Sequence, residues 1–275
     1  MTEQTVRPYV DSKAADSDSG EYMPIRGERP IVARAREFPS GYRVTPHKHE
    51  CCQLIFATSG VMELVTDEGI WLIPPQRAVW MPPNVEHGMR ARGDVSLRTM
   101  YIQPHACPVS FPQKPRTLQI SPLLRELIIR AMRVPSNYDE GGRDGRIMSL
   151  ILEEIEWSGE RPLRLPATRD SRLQNLCRAI LANPADPREL KDWSTVIGAS
   201  ERTLSRLFRN ELGVSYQYWR QQVAALNAIP RLAAGDPVTL IAADLGYETP
   251  SAFSAMFRRI MGVAPSLYFQ RQSES

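Results

Sequence analysis

Residues 243–268 read ADLGYETPSAFSAMFRRIMGVAPSLY, and residues 204–214 read LSRLFRNELGV. The two stretches share one pattern. Leu204-x3-Phe208-Arg209-x3-Gly213-Val214 returns as Phe253-x3-Phe257-Arg258-x3-Gly262-Val263, offset by 49 residues, with Ser205 mapping onto Ser254. Two copies at that period do not make a solenoid and fit a duplicated helical unit. In the first copy, Leu190, Trp193, Val196 and Ile197 mark a short amphipathic helix that Gly198 breaks. Ser200 then caps a second helix, ERTLSRLFRNEL. Two short helices joined by a tight turn with Gly form a helix-turn-helix. In the second copy, VTLIAADL ends at Gly246-Tyr247, and Thr249-Pro250 opens SAFSAMFRRIMG.

On the second helix of the first copy, Leu204, Leu207 and Phe208 form the core stripe. Arg202, Arg206 and Arg209 recur at i, i+4 and i+7 and form a basic stripe, with Thr203 and Ser205 beside it. A capped helix with Arg, Thr and Ser outward suits the major groove of double-stranded DNA. One such helix is equally a solvated amphipathic helix; its repetition favours DNA. In the second copy Phe253, Met256, Phe257 and Ile260 are core, while Ser251, Ser254, Ala255, Arg258 and Arg259 face outward. A connecting helix from about Ser215 to Ala234 would be roughly 30 Å long, close to one turn of B-DNA, about 34 Å. Two readers then reach successive major grooves. Pro230 lies inside this spacer and takes the partner from the carbonyl of Leu226, so a kink is expected. Ile229, Leu232 and Ala233 continue the apolar stripe past it.

Further out, charge separates two halves. Residues 166–275 hold 13 Lys/Arg against 10 Asp/Glu, while residues 1–165 hold 21 of each. All four histidines lie in the first 105 residues. A length of 275 residues suggests two domains. No apolar run approaches the roughly 18 residues of a membrane span, and no secretory leader is visible. Four cysteines, two of them adjacent, do not make a disulfide framework. A cytoplasmic location is expected.

From Ile31 to about Gln103, short apolar runs alternate with Pro and Gly turns: QLIFAT, VMELVT, IWLIPP, AVWMPP and LRTMYI. That rhythm predicts an antiparallel sandwich or small barrel. Helices are expected at 121–133, capped by Ser121, and at 146–157, after a Gly-rich break around 141–145. The expected layout is a mobile tail at 1–30, a barrel with C-terminal helices at 31–158, a linker at 159–170 and a helical DNA-binding domain at 171–270. Within the barrel, strand alternation puts His47, His49, Cys51 and Gln53 on one face, and His87 on a later strand can join them. His47, His49 and His87 can hold a divalent transition metal. They can equally line an effector pocket by hydrogen bonding. Cys51 beside an imidazolium is a reactive thiol, or simply a buried one.

The segments LKDWSTVIGASERTLSRLFRNELGVSYQYWRQQ (190–222) and LAAGDPVTLIAADLGYETPSAFSAMFRRIMGVAPSLYF (232–269) resemble the paired helix-turn-helix domain of AraC/XylS-family transcription regulators. The likeness covers about residues 171–270. It implies promoter binding under an N-terminal effector or dimerisation domain, with RNA polymerase as a partner. In that family a long side chain usually stands where this chain has Ala224, and a helix former where it has Pro230. The spacings Gly41-x5-His47-x-His49-x3-Gln53-x6-Gly60 and Pro82-x-Asn84-x2-His87 resemble the two cupin motifs. Gln53 stands where metal-binding cupins usually carry Glu, and Asn84 where they carry Gly. The missing carboxylate favours a pocket without metal, so no cofactor is expected.

The fold expected is α+β and multidomain: an N-terminal cupin-like antiparallel β-barrel, then an all-α domain with two helix-turn-helix units. The function expected is a non-enzymatic, sequence-specific DNA-binding regulator controlled by a small-molecule effector. The helices at 121–133 and 146–157 either form a homodimer contact or pack on their own barrel. The rival reading is a metal-dependent cupin enzyme with an accessory helical domain, His47, His49 and His87 being its ligands. A third takes the barrel as a dimerisation module alone.

Overall fold

The computed structural model describes residues 29–75, 77–157 and 164–268. Most of the expected tail, residue 158, the linker residues 159–163 and the last residues of the helical domain lie outside them. The chain divides into two compact units. One holds 29–64 and 71–157; the other holds 164–268 with the hairpin tip Val65–Ile70.

The strands are β1 (Ile31–Phe38), β2 (Arg43–His47), β3 (Cys52–Thr66), β4 (Gly69–Ile73), β5 (Arg77–Met81), β6 (His87–Ile102), β7 (Arg116–Gln119) and β8 (Arg164–Pro166). They form one sheet, in the order β1-β6-β3-β4-β8, with β2 on β6, and β5 on both β3 and β7. The β1–β6, β2–β6, β3–β5 and β5–β7 pairs are antiparallel. The runs QLIFAT and VMELVT are one strand, β3, rather than two. Gly60, expected to end a strand, bends it instead, at φ 71°. A side chain there would meet the Asp94 carbonyl oxygen at 2.3 Å, so only Gly fits. Across that bend the core-facing positions shift from Ile55 and Ala57 to Met62 and Leu64, a change of parity that marks one extra residue.

Two apolar cores flank the sheet. Ile55, Leu64, Trp71, Met81 and Leu97 belong to one. Leu54, Phe56, Trp80 and Met100 belong to the other, packed under α1 (Pro122–Ala131) and α2 (Arg143–Glu153) through Ile128 and Ile151. The two helices thus cover their own sheet. Ser121 caps α1 as expected, accepting from the N–H of Leu124. Helix α2 departs from expectation: it starts at Arg143 and ends at Glu153, not at 146–157. Gly145 is inside it because the Glu140 backbone packs where its Cβ would be, 2.0 Å from that carbonyl oxygen. Part of the expected linker is also ordered. Arg164–Pro166 form β8, anchored by Arg164 to Glu68 at 2.7 Å.

The helical unit contains α3 (Ser171–Ala182), α4 (Leu190–Ile197), α5 (Glu201–Glu211), α6 (Tyr216–Ala233), α7 (Val238–Asp244) and α8 (Pro250–Met261). Gly198 ends α4 in the left-handed conformation, and Ser200 caps α5 through the N–H of Thr203. Thr249 does the same for α8 through Ala252. Trp193, Leu204, Phe208 and Trp219 are buried around the first helix pair, and Ile241, Phe253 and Phe257 around the second. The spacer α6 passes through Pro230 and continues to Ala233. Arg231 ties its last turn to Asp236 and Asp244, each at 2.8 Å. Ala224 is buried, a place that suits a small apolar residue better than a long charged one.

Candidate functional site

The capped helices α5 and α8 present the polar faces expected of them. Arg202, Arg206 and Arg209 are exposed, and Thr203 and Ser205 are half-buried beside them. Thr203 is partly spent on the cap, its hydroxyl 2.9 Å from that of Ser200. On α8, Ser251, Arg258 and Arg259 are exposed and Ser254 is half-buried. Among the described residues, none of these five arginines is in an ion pair. The arginines that brace the unit behave differently. Arg188 forks onto Asp186 and lies 3.8 Å above the Trp193 ring. Arg220 donates to the carbonyls of Arg188, at 3.1 Å, and Asp186. Arg172 pairs with Asp170 at 2.7 Å. Exposed, donor-rich and, among the described residues, without a counter-charge, the five arginines of α5 and α8 suit contacts to DNA. The spacing between the helices rests on α6, whose 18 residues span about 27 Å.

In the barrel, His47, His49 and His87 do meet, with candidate ligand nitrogens all within 4.8 Å of one another. Strand alternation is not what brings them together, however. β2 ends at His47 and β3 begins at Cys52, so His49 and Cys51 sit in an irregular corner. The β2–β6 register brings His47 opposite His87, and the corner folds His49 back onto them. Asn84 helps build this end. It takes the left-handed conformation, φ 62°, the conformation that Gly and Asn tolerate best, and donates to the His49 carbonyl at 2.8 Å.

Each Nδ1 lies against a backbone carbonyl: His47 on Thr45 at 3.0 Å, His49 on Cys51 at 2.9 Å, His87 on Val85 at 2.9 Å. Those contacts place the protons on Nδ1 and the lone pairs on Nε2, the orientation metal ligands have. Burial, the largest cause, holds His47 below the usual imidazole range and His87 down to about 3. His87 Nε2 is buried without a hydrogen-bond partner among the described residues. The set fits a metal as three neutral ligands. Against that, the Gln53 amide lies 2.9 Å from His49 Nε2, and its other end is 2.9 Å from the Thr99 hydroxyl. Rotating the amide gives His49 an N–H donor and Thr99 a carbonyl acceptor, a fully bonded arrangement that occupies one ligand atom. Cys51 lies 3.5 Å from His49 Nδ1, but burial raises its thiol, the reverse of an activated thiolate. Thr99 and Tyr101, whose ring is 5.6 Å from that of His49, also belong to this end. They were not singled out in the sequence, although two-residue alternation along β6 relates them to Leu97 on the core face.

Comparison with known proteins places both units. Residues 30–155 match the family described as "AraC-like ligand binding domain", and residues 193–271 match "Helix-turn-helix domain". The HTH-type transcriptional regulator NimR of Escherichia coli is 32% identical over 251 residues, covering 91% of this chain and 91% of NimR. The chain belongs to the AraC family of transcriptional regulators. The similarity extends to the HTH-type transcriptional activator RhaR of Klebsiella pneumoniae, 23% identical over 87% of this chain and 92% of RhaR. The E. coli arabinose operon regulatory protein is 26% identical over 50% of this chain and 47% of its own. As an AraC-family protein the chain is a transcription regulator with a ligand-binding domain and a helix-turn-helix DNA-binding domain. No described helix is long and apolar enough to cross a membrane.

Proposed function

We propose that α5 is the base-reading helix of this regulator and α8 its second, mainly phosphate-holding helix. The observation that carries this is the contrast among arginines: Arg202, Arg206 and Arg209 on α5 are exposed without ion pairs among the described residues, while Arg172 and Arg188 are spent on Asp. Arg206, mid-helix, is the residue for a guanine edge. Ser251 and Ser254 on α8 are weaker readers, and Arg258 and Arg259 supply charge to the backbone. The test is to sequence the DNA fragments that the protein retains from its own genome, and to repeat this with Arg206→Ala. Retention of the same fragments with equal enrichment would refute α5 as the reader.

The effector is proposed to enter the barrel and lie against the end lined by His47, His49, Cys51, Gln53 and His87, with no resident metal. The Gln53 contact on His49 supports this. The neutral Nε2 atoms of His47 and His87 suit a donor such as a hydroxyl. A metal reading stands beside it on the three converging imidazoles. A metal there would supply Lewis-acid binding to an oxygen of the effector. The protein acts as a regulator and not an enzyme, works in the cytoplasm, pairs as a homodimer and engages RNA polymerase. Leu123 and Leu150, exposed on α1 and α2, are the apolar contacts offered to a second copy.

A further inference from the structure

The β2–β6 register sets Arg43 directly opposite Arg90, and Arg92 follows two residues on, on the same face. Their neighbours Val44, Met89 and Ala91 point the other way, into the apolar core. The three guanidiniums are thus neighbours on the outer face of the barrel unit. Like charges directly opposite one another destabilise a strand pair. Among the described residues, one carboxylate pairs with them. Glu63 on β3 accepts from Arg92 through a single oxygen, at 2.7 Å from Nε and 2.5 Å from Nη2. Three positive charges with one negative leave a surplus. The surplus is partly desolvated: Arg90 Nε is buried with no hydrogen-bond partner among the described residues. Burial, then Arg92 and Arg43, works against the charge on Arg90. A buried guanidinium donor without an acceptor is costly, and it is satisfied best by an oxyanion with two oxygens for its fork to grip.

We infer that Arg43, Arg90 and Arg92 form a binding site for a small oxyanion, a carboxylate or a phosphate, on the outer face of β2 and β6. This site is separate from the histidine cluster. His87 is two residues before Met89 on β6 and so shares its inward face, opposite to that of Arg90. Both sites therefore act on one strand from its two sides. The inference does not depend on what the histidines bind.

The test is thermal unfolding of the full chain at fixed ionic strength, with chloride exchanged for inorganic phosphate in one series and for succinate in another. A saturable rise of a few degrees in Tm is expected with at least one of them, and the series that gives it separates phosphate from carboxylate. Arg90→Gln and Arg43→Gln should each abolish the rise. In chloride alone both variants should be as stable as the parent or more so, because repulsion is relieved. Glu63→Gln removes the competing carboxylate and should shift saturation to lower anion concentration. Arg206→Ala should keep the full response. The inference is overturned if neither anion gives a saturable rise, or if Arg90→Gln responds as the parent does, which is a general salt effect. It is also overturned if both arginine variants lose stability in chloride, or if Arg206→Ala removes the response, which places the anion on the DNA-binding helix.

Discussion

Arg206 and Arg188 are the same residue type put to opposite uses. Arg188 has its charge answered by Asp186 and its plane laid on Trp193, so it holds the fold. Arg206 has neither, and its removal should leave the helical unit standing. Arg206→Ala is expected to cost about 1–3 kcal/mol in binding to the specific site, with thermal stability unchanged. Arg258→Ala should instead weaken binding to all sequences alike and lower the salt slope by about one; titrations at several salt concentrations separate the two. Gln53 poses the corresponding question in the barrel. Protein purified without an affinity tag should carry clearly substoichiometric metal. Gln53→Glu should raise divalent-metal affinity and make stability depend on metal, since an unpaired carboxylate at this fully buried position is costly. Elemental analysis finding a full equivalent in the parent, lost in His47→Ala, would establish the metal reading instead. The histidines were legible in the sequence by their spacing, but for a reason that does not hold. Alternation assumes a continuous strand from 47 to 53, and the chain turns a corner there. Register with β6, a non-local property, is what joins His47 to His87.

At the scale of elements, local chemistry was legible wherever it was self-contained. Ser121, Ser200 and Thr249 each cap the helix that follows, because a hydroxyl before a helix bonds amides only two or three residues away. Gly60 and Gly145 were misread as breaks because each answers to a distant or folded-back backbone, Asp94 and Glu140, that composition does not reveal. Pro230 was legible as a disturbance that the helix runs past, as α6 does, but the ion pairs that hold this turn were not. It falls in the last turn of α6, and Arg231 next to it is clamped by Asp236 and Asp244. Pro230→Ala restores a donor to the Leu226 carbonyl. It should stabilise the helical unit by less than the roughly 3 kcal/mol typical of a mid-helix Pro, read as a rise in Tm. No rise would mean that the turn is already satisfied. The Asp186 brace gives a pH signature. Its bond to Arg188, the largest cause, holds the carboxyl below the usual range. A depressed acid contributes stability that is complete above its unfolded value, about 4, and is lost as pH falls through the lower folded value. Asp186→Asn should therefore cost about 1 kcal/mol near neutrality and flatten the acid limb of the stability curve.

At the scale of the DNA-binding half as a whole, two readers on one spacer make a geometric demand on the operator. Helix α6 spans about 27 Å, and the two reading helices flank it in sequence. A duplex presents its major groove again after about 34 Å, or 10–10.5 base pairs. The operator should therefore contain two subsites about one turn apart, the stricter one under α5. Ending the duplex just beyond the α5 subsite removes the second groove and its phosphates. Affinity should then fall to that of the α5 subsite alone, and Arg258→Ala should lose most of its remaining effect there because α8 no longer reaches its phosphates. That coupling is the decisive quantity. If the truncation and Arg258→Ala weaken binding independently, so that their effects add, α8 does not rest on the second groove and the two-groove geometry is wrong. If the truncation erases the effect of Arg258→Ala while Arg206→Ala keeps its full cost, both helices bind as one unit through α6.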